Sequence, residues 1–312
     1  MAEIKSTRNA YGEALVKLGA VDQNVVVCDA DLAHATMTAF FADKYPDRFY
    51  NFGIAESNMM AASAGLAHCG YTVFASTFAI FGAGRAYEQV RNAICYTNAN
   101  VKLGLSHAGP SCGEDGGSHQ AIEDIALMRV LPRMTVLVPC DAVEMEKAVF
   151  AAAKIDGPVF IRTGRLPTEV ITTEETPFEV GKALQLRDGK DVAIIACGIL
   201  VPQAMHAAEE LAAEGIEARV INLHTIKPID SEAILAAAKD CGAIVTAEEH
   251  SVIGGLGSAV AEVLMGKACV PFERIGVQDR FGQSGKPALL AEEYGLTAKD
   301  IVFAAKRAIA SK

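Results

Sequence analysis

Short apolar runs of strand length alternate with stretches of helical periodicity along the whole chain, and this predicts an α/β protein of two doubly wound domains. Strands that follow one another through intervening helices imply right-handed βαβ units, with a mainly parallel sheet covered on both faces. The alternation breaks once, over residues 167–185, which divides the chain into a larger and a smaller part.

In the first part, strands are expected at 25–28, 71–75, 101–105, 135–138 and 158–161, with helices at 85–96 and 141–154. Asp141 follows Pro139-Cys140 and has the position of a helix N-cap. Residues 1–166 form the first domain on this reading. From Pro167 the sequence becomes polar, β-branched and proline-bounded, so 167–185 is expected to be a linker. The smaller domain, 186–312, opens on a strand at 191–196. It continues through a helix at 201–214, a strand at 217–221, a helix at 231–239 and strands at 243–246 and 272–277. A last helix is expected at 298–310. No solenoid repeat or low-complexity segment interrupts the pattern.

A length of 312 residues suffices for two domains, and 51% hydrophobic with 21% charged residues describes a chain that buries a sizeable core. The net charge of −10 argues against a general nucleic-acid binder, which needs a basic face. It leaves room for a phosphorylated substrate, because a few local Arg and His side chains can hold a phosphate within an acidic protein. Eight cysteines stand singly with no CxxC pair, so neither a zinc site nor a dithiol motif is suggested, and reduced thiols are expected. Met1-Ala2-Glu3-Ile4-Lys5 lacks the apolar core of a signal peptide, and no apolar run reaches membrane-spanning length. A soluble, cytoplasmic protein with no membrane or nucleic-acid partner is the expectation.

The stretch Phe49-Tyr50-Asn51-Phe52-Gly53-Ile54-Ala55-Glu56-Ser57-Asn58 places a carboxylate where a small-residue helix begins. Glu56 can be a first-turn acid that complements the helix dipole, or a carboxylate delivered to a site by a tight turn at Gly53. Phe78 and Phe81 follow a strand end, either as a core pair or as aromatic surfaces facing a ligand. His107 precedes Gly113-Glu114-Asp115-Gly116-Gly117-Ser118-His119-Gln120, which suits a solvated turn or a polar site loop. Two other motifs lack what their chemistry needs. Gly254-Gly255-Leu256-Gly257-Ser258-Ala259-Val260 misses the last glycine and the acidic partner of a dinucleotide loop. Glu248-Glu249-His250 has no further ligand at metal-binding spacing.

In their order and spacing, the blocks around Glu56, Phe78 to Phe81, and His107 with Gly113 to Gln120 resemble transketolase-type thiamine diphosphate enzymes. The likeness covers essentially the whole chain: a pyrimidine-binding domain followed by a transketolase C-terminal domain. It implies that Glu56 contacts N1′ of the cofactor's aminopyrimidine and favours its imino tautomer, with Phe78 and Phe81 against the ring and Asp31 in a motif near the cofactor. It implies that Asp115 and His119 line the substrate channel, with His119 also catalytic, and that His107, Arg162 and Arg8 receive the substrate phosphate. A tyrosine of many relatives is Gly84 here and a substrate-contacting serine is Ala35, which leaves ring closure and donor preference open.

The family anchors the cofactor diphosphate through Mg2+, with a Gly-Asp-Gly motif that this chain lacks. The resemblance therefore implies one subunit of a split transketolase, a two-chain enzyme moving a two-carbon ketol unit between sugar phosphates in the manner of the pentose phosphate pathway. The magnesium ligands would lie on a separate amino-terminal subunit, in an assembly such as α2β2, with self-association through both domains of this chain. Alternatives are the β subunit of a 2-oxoacid dehydrogenase, which has the same layout, a transketolase for an unusual sugar phosphate, a deoxyxylulose phosphate synthase fragment, which lacks a histidine matching His107, and a scaffold without catalysis.

Overall fold

The computed structural model describes residues 3–312; Met1 and Ala2, part of the amino-terminal stretch considered above, lie outside the described residues. The first nine strands are β1 (Ile4–Ser6), β2 (Val25–Asp29), β3 (Phe49–Asn51), β4 (Thr72–Phe78), β5 (Val101–Ser106), β6 (Thr135–Leu137), β7 (Val159–Arg162), β8 (Pro167–Glu169) and β9 (Leu184–Arg187). The rest are β10 (Val192–Ala196), β11 (Ala218–Asn222), β12 (Thr225–Lys227), β13 (Ile244–Ser251) and β14 (Phe272–Val277).

A seven-stranded sheet, in the order β12-β6-β7-β5-β4-β2-β3, forms the first domain. Its strands run parallel except β12, which arrives from the second domain and pairs antiparallel with β6. Alternate residues of β2 enter different layers, as a sheet covered on both faces requires. Val25 and Val27 meet Tyr11, Leu15 and Val149 from the helices Thr7–Val21 and Ala142–Ala153. Val26 and Cys28 join Met59, Met60 and Ile125 on the opposite face. The chain goes from β2 outward to β3, then returns to the other side of β2 as β4. That reversal opens a crevice at the carboxyl ends of β2 and β4, where open α/β sheets receive ligands.

The second sheet has the order β14-β13-β10-β11-β9, parallel apart from the edge strand β9. One apolar cluster runs from Val73 and Leu103 through to Ile195, Leu223 and Ile244, so the two domains share a core.

Three features depart from the expected elements. The stretch 167–185 begins as β8, which pairs antiparallel with β1, and its last two residues start β9. Asp141 caps its helix by accepting from the Glu144 amide at 2.9 Å, and also accepts from the Ile171 and Thr172 amides, tying this stretch to the first domain. The helix expected at 85–96 is wound with two wide π-type segments, Phe81–Arg85 and Val90–Cys95, marked by the i→i−5 bonds from Ala86 to Phe81 and from Tyr96 to Arg91.

Candidate active site

The turn before Glu56 uses Gly53 at φ +67°, where a side chain would be strained although nothing crowds it. Glu56 then opens the helix Glu56–His68 and is only 2% exposed. Its partner is Arg85: Nη1 donates to both carboxylate oxygens at 3.0 Å. The π-type turn from Phe81 delivers this arginine, whose guanidinium also lies 4.8 Å from the Phe81 ring centroid. Nothing in the sequence pointed to Arg85, because a regular helix would place it about one position out of phase. Beside it Gly84 is exposed, with open space where a side chain would project.

Four rings meet at the ends of β4 and β5. Phe78 and Phe81 stack at 5.8 Å, and His107 stacks on Phe78 at 3.9 Å. His119 stands edge-on to both phenylalanines, at 6.1 and 5.5 Å. The structure thus gathers four of the expected site residues into one aromatic cluster. Phe78, 8% exposed, serves both as core and as its floor.

His107 is 3% exposed, in the left-handed region at φ +59°, with Nδ1 3.0 Å from the Ser106 hydroxyl. Burial pushes its imidazole down to about 4, aided by the positive charges of Arg8 and Arg165. A neutral His107 offers a phosphate a hydrogen bond and no charge, a smaller role than the expected one. Relative to an unfolded pKa near 6.5, the stability it contributes is fully present above pH 6.5 and lost as pH falls through about 4. Thermal melts should therefore show wild type losing its advantage over His107→Asn between pH 7.5 and 4.5; a gap independent of pH would show that folding leaves the imidazole's proton affinity unchanged.

Around this cluster the arginines divide sharply. Arg162, at the end of β7, is 6% exposed and donates through Nε and Nη2 to Asp124 at 2.7 and 3.2 Å. Its Nη2 also donates to the Glu249 carbonyl at 2.8 Å. This guanidinium is committed to the seam between domains, which corrects the expectation that it receives phosphate. Arg165, three residues on, is the residue the sequence reading missed. It is half-buried and donates to the Cys112 carbonyl at 2.5 Å, with Glu114 3.4 Å away. Arg8 donates to the Ala35 carbonyl at 2.9 Å and keeps a buried Nε without a partner. Arg8 and Arg165 are close enough that Arg165, after burial, holds the Arg8 guanidinium below its usual value. Of this fork the sequence reading named Arg8, and for Arg165 the only signal was its place three residues after Arg162 in Arg162-Thr163-Gly164-Arg165.

Asp115 is exposed on the loop Pro110–Asp115, its carboxylate 3.5 Å from the Cys112 thiol, and His119 is half-buried with Nδ1 3.0 Å from the Ser118 hydroxyl. Asp31 is exposed at φ +64° and its contacts are with Asn51. The buried anchor of that motif is Asp29, which accepts from the Leu32 amide and the Thr36 and Thr38 hydroxyls. Of the two motifs set aside, Glu248 accepts from the Leu256 and Gly257 amides and so caps the helix Leu256–Leu264. Among the described residues, no three His, Cys, Asp or Glu side chains are grouped so as to hold a metal ion, and no helix is long and apolar enough to cross a membrane.

A buried acid linked to stacked rings through one arginine suits a flat, nitrogen-bearing heterocycle: the rings offer a face and the acid a proton acceptor or donor. Comparison with known proteins agrees. The family model for the pyrimidine-binding domain of transketolase matches residues 4–169, and that for the transketolase C-terminal domain matches 181–301. A Methanocaldococcus jannaschii protein described as a transketolase C-terminal section is 47% identical over 95% of this chain and 94% of its own length. The 6-deoxy-6-sulfo-D-fructose transketolase subunit SqwH of a Clostridium species is 44% identical over 96% of this chain and 92% of its own. A solved structure described as a split gene transketolase, inactive beta4 tetramer, superposes with a TM-score of 0.92 at 52% identity, covering 98% of both chains. On these grounds the chain belongs to the transketolase family, carrying its pyrimidine-binding and C-terminal domains in one polypeptide.

Proposed function

We propose that this chain is the pyrimidine-binding subunit of a two-chain transketolase that moves a two-carbon ketol unit from a ketose phosphate to an aldose phosphate. The observation that carries this reading is Glu56, 2% exposed and joined through Arg85 to the ring of Phe81, which stacks on Phe78. Family membership implies thiamine diphosphate, and these residues fit its pyrimidine ring. When bound, the cofactor supplies a thiazolium carbanion and an electron sink. The protein's own part is placement. Phe78 and Phe81 offer the ring a flat face, and Glu56 holds a proton at the ring nitrogen N1′. For that, the Glu56 carboxylate must loosen one of its two contacts with Arg85. His119 reaches the same space from its loop and is placed to hold a hydroxyl or move a proton of the sugar, with Asp115 as a second acceptor.

Among the described residues no group of His, Cys, Asp or Glu side chains could hold Mg2+, and we assign the metal and the diphosphate it carries to a separate subunit. The segment leading into Glu56 supports such a partner: Ile54 is 78% exposed and Tyr50 40%. The relative described as an inactive beta4 tetramer also fits a chain that is silent without its partner. Co-expression with a subunit bearing the Gly-Asp-Gly motif, followed by a ketol-transfer assay over ketose phosphates, tests the proposal. No transfer from a well-assembled complex would refute it.

At the far end of the sugar we assign the anion to Arg8 and Arg165. Losing one charge-assisted contact costs about 1.5–3 kcal/mol, or roughly ten- to a hundred-fold in kcat/KM. Arg165→Ala should therefore cripple phosphorylated substrates while sparing hydroxypyruvate, and equal losses for both would remove Arg165 from the site. Because one relative is named for a 6-sulfo sugar, a sulfonate-ended ketose belongs in the same panel. Three acceptor oxygens on a sulfonate suit the same fork.

A further inference from the structure

The loop that carries Asp115 and His119 is walled on its outer side by the C-terminal domain. Glu249, on β13 and 3% exposed, accepts from the Ser111 amide at 2.5 Å, at the root of this loop. A side chain on Gly109 would collide with that carboxylate. Further along, residues 282–287 press on the loop itself. Gln120 donates through Nε2 to the Gln283 carbonyl at 2.9 Å and to the Gly113 carbonyl at 3.0 Å, linking the two segments. A Cβ on Gly116 would strike the Ser284 hydroxyl, one on Gly117 the Gly282 carbonyl, and one on Gly113 would lie 3.0 Å from Pro287. The neighbouring domain thus occupies the space of these side chains, and for Gly109, Gly113 and Gly116, at φ of +79° to +80°, the backbone conformation favours glycine as well.

We propose that the C-terminal domain sets the geometry of the sugar-facing loop through Glu249 and residues 282–287, which makes Glu249 a positioning residue for Asp115 and His119. The assignment rests on the transketolase reading only where it says that these two side chains face the sugar. Glu249 touches neither ring cluster nor arginine fork with its carboxylate; it acts by holding the Ser111 backbone. Its own backbone carbonyl is held in turn by Arg162, so the anchor is fixed from both sides of the seam.

Hydrogen exchange on the full chain, with no partner or substrate, reads the anchorage directly. Glu249→Ala should speed exchange of the Ser111 amide and the amides up to Gln120 by about ten-fold or more, since local opening governs such rates. Glu249→Gln, which keeps an oxygen acceptor, should restore them. In the assembled enzyme Glu249→Ala should raise KM and lower kcat/KM by about ten-fold, leaving exchange of the cofactor C2 proton, a Glu56 property, unchanged. Gly117→Ala perturbs the loop's other contact with the C-terminal domain, at the Gly282 carbonyl, and should shift KM likewise. Unaltered Ser111 exchange in Glu249→Ala, or a loss spread evenly over the C-terminal domain, would overturn the proposal. A wild-type complex without ketol transfer would instead sink the functional reading, and the exchange result would still decide the anchorage.

Discussion

Replacing Glu56 by glutamine should lower kcat of the assembled enzyme by about 10²- to 10⁴-fold, the range seen when a positioned proton-transfer group is lost. The substitution keeps the shape and burial of the side chain and its place at the start of the helix Glu56–His68. It removes the carboxylate that now engages Arg85 in two hydrogen bonds. Because the defect lies in cofactor activation, KM for the sugar should move far less than kcat. C2 proton exchange of bound cofactor should slow in step with kcat. An unchanged exchange rate would return Glu56 to the dipole-complementing role that its first-turn position also allows.

Arg162→Ala should have its effect on folding instead. Asp124 is fully buried and its carboxylate takes two hydrogen bonds from this one guanidinium. Breaking a buried pair by removing one partner costs about 3–5 kcal/mol, because the remaining charge is left uncompensated. Urea unfolding should show that loss, and Arg162→Met combined with Asp124→Leu should recover a good part of it, since no lone charge then remains. A stable Arg162→Ala protein with weak binding of phosphorylated substrates would restore the phosphate role and remove the seam role.

The contrast between Arg162 and Arg165 shows where the sequence stops being legible. Both follow an apolar strand, and only the fold decides that Arg162 turns into the seam while Arg165, beyond Gly164, turns toward Cys112 and Glu114. The deciding partners, Asp124 and Glu249, lie 38 and 87 residues away. The α/β class and the gathering of Phe78, Phe81, His107 and His119 were readable, because strand ends on one side of a parallel sheet converge on the same crevice. Arg85 was hidden by a π-type turn, which has no composition signature. The strands β1, β8 and β12 were hidden for another reason: each has three residues and pairs with a distant segment, leaving no periodicity to detect. Glu249 looked like part of an incomplete metal motif, and its contact with Ser111 spans 138 positions.

The most direct test is a single assay of ketol transfer, run on this chain alone and after mixing with a subunit that carries the diphosphate and magnesium site. The account predicts no turnover from the chain alone with thiamine diphosphate and Mg2+ added, and turnover dependent on the partner once mixed. Sustained transfer by the chain without any partner would contradict it.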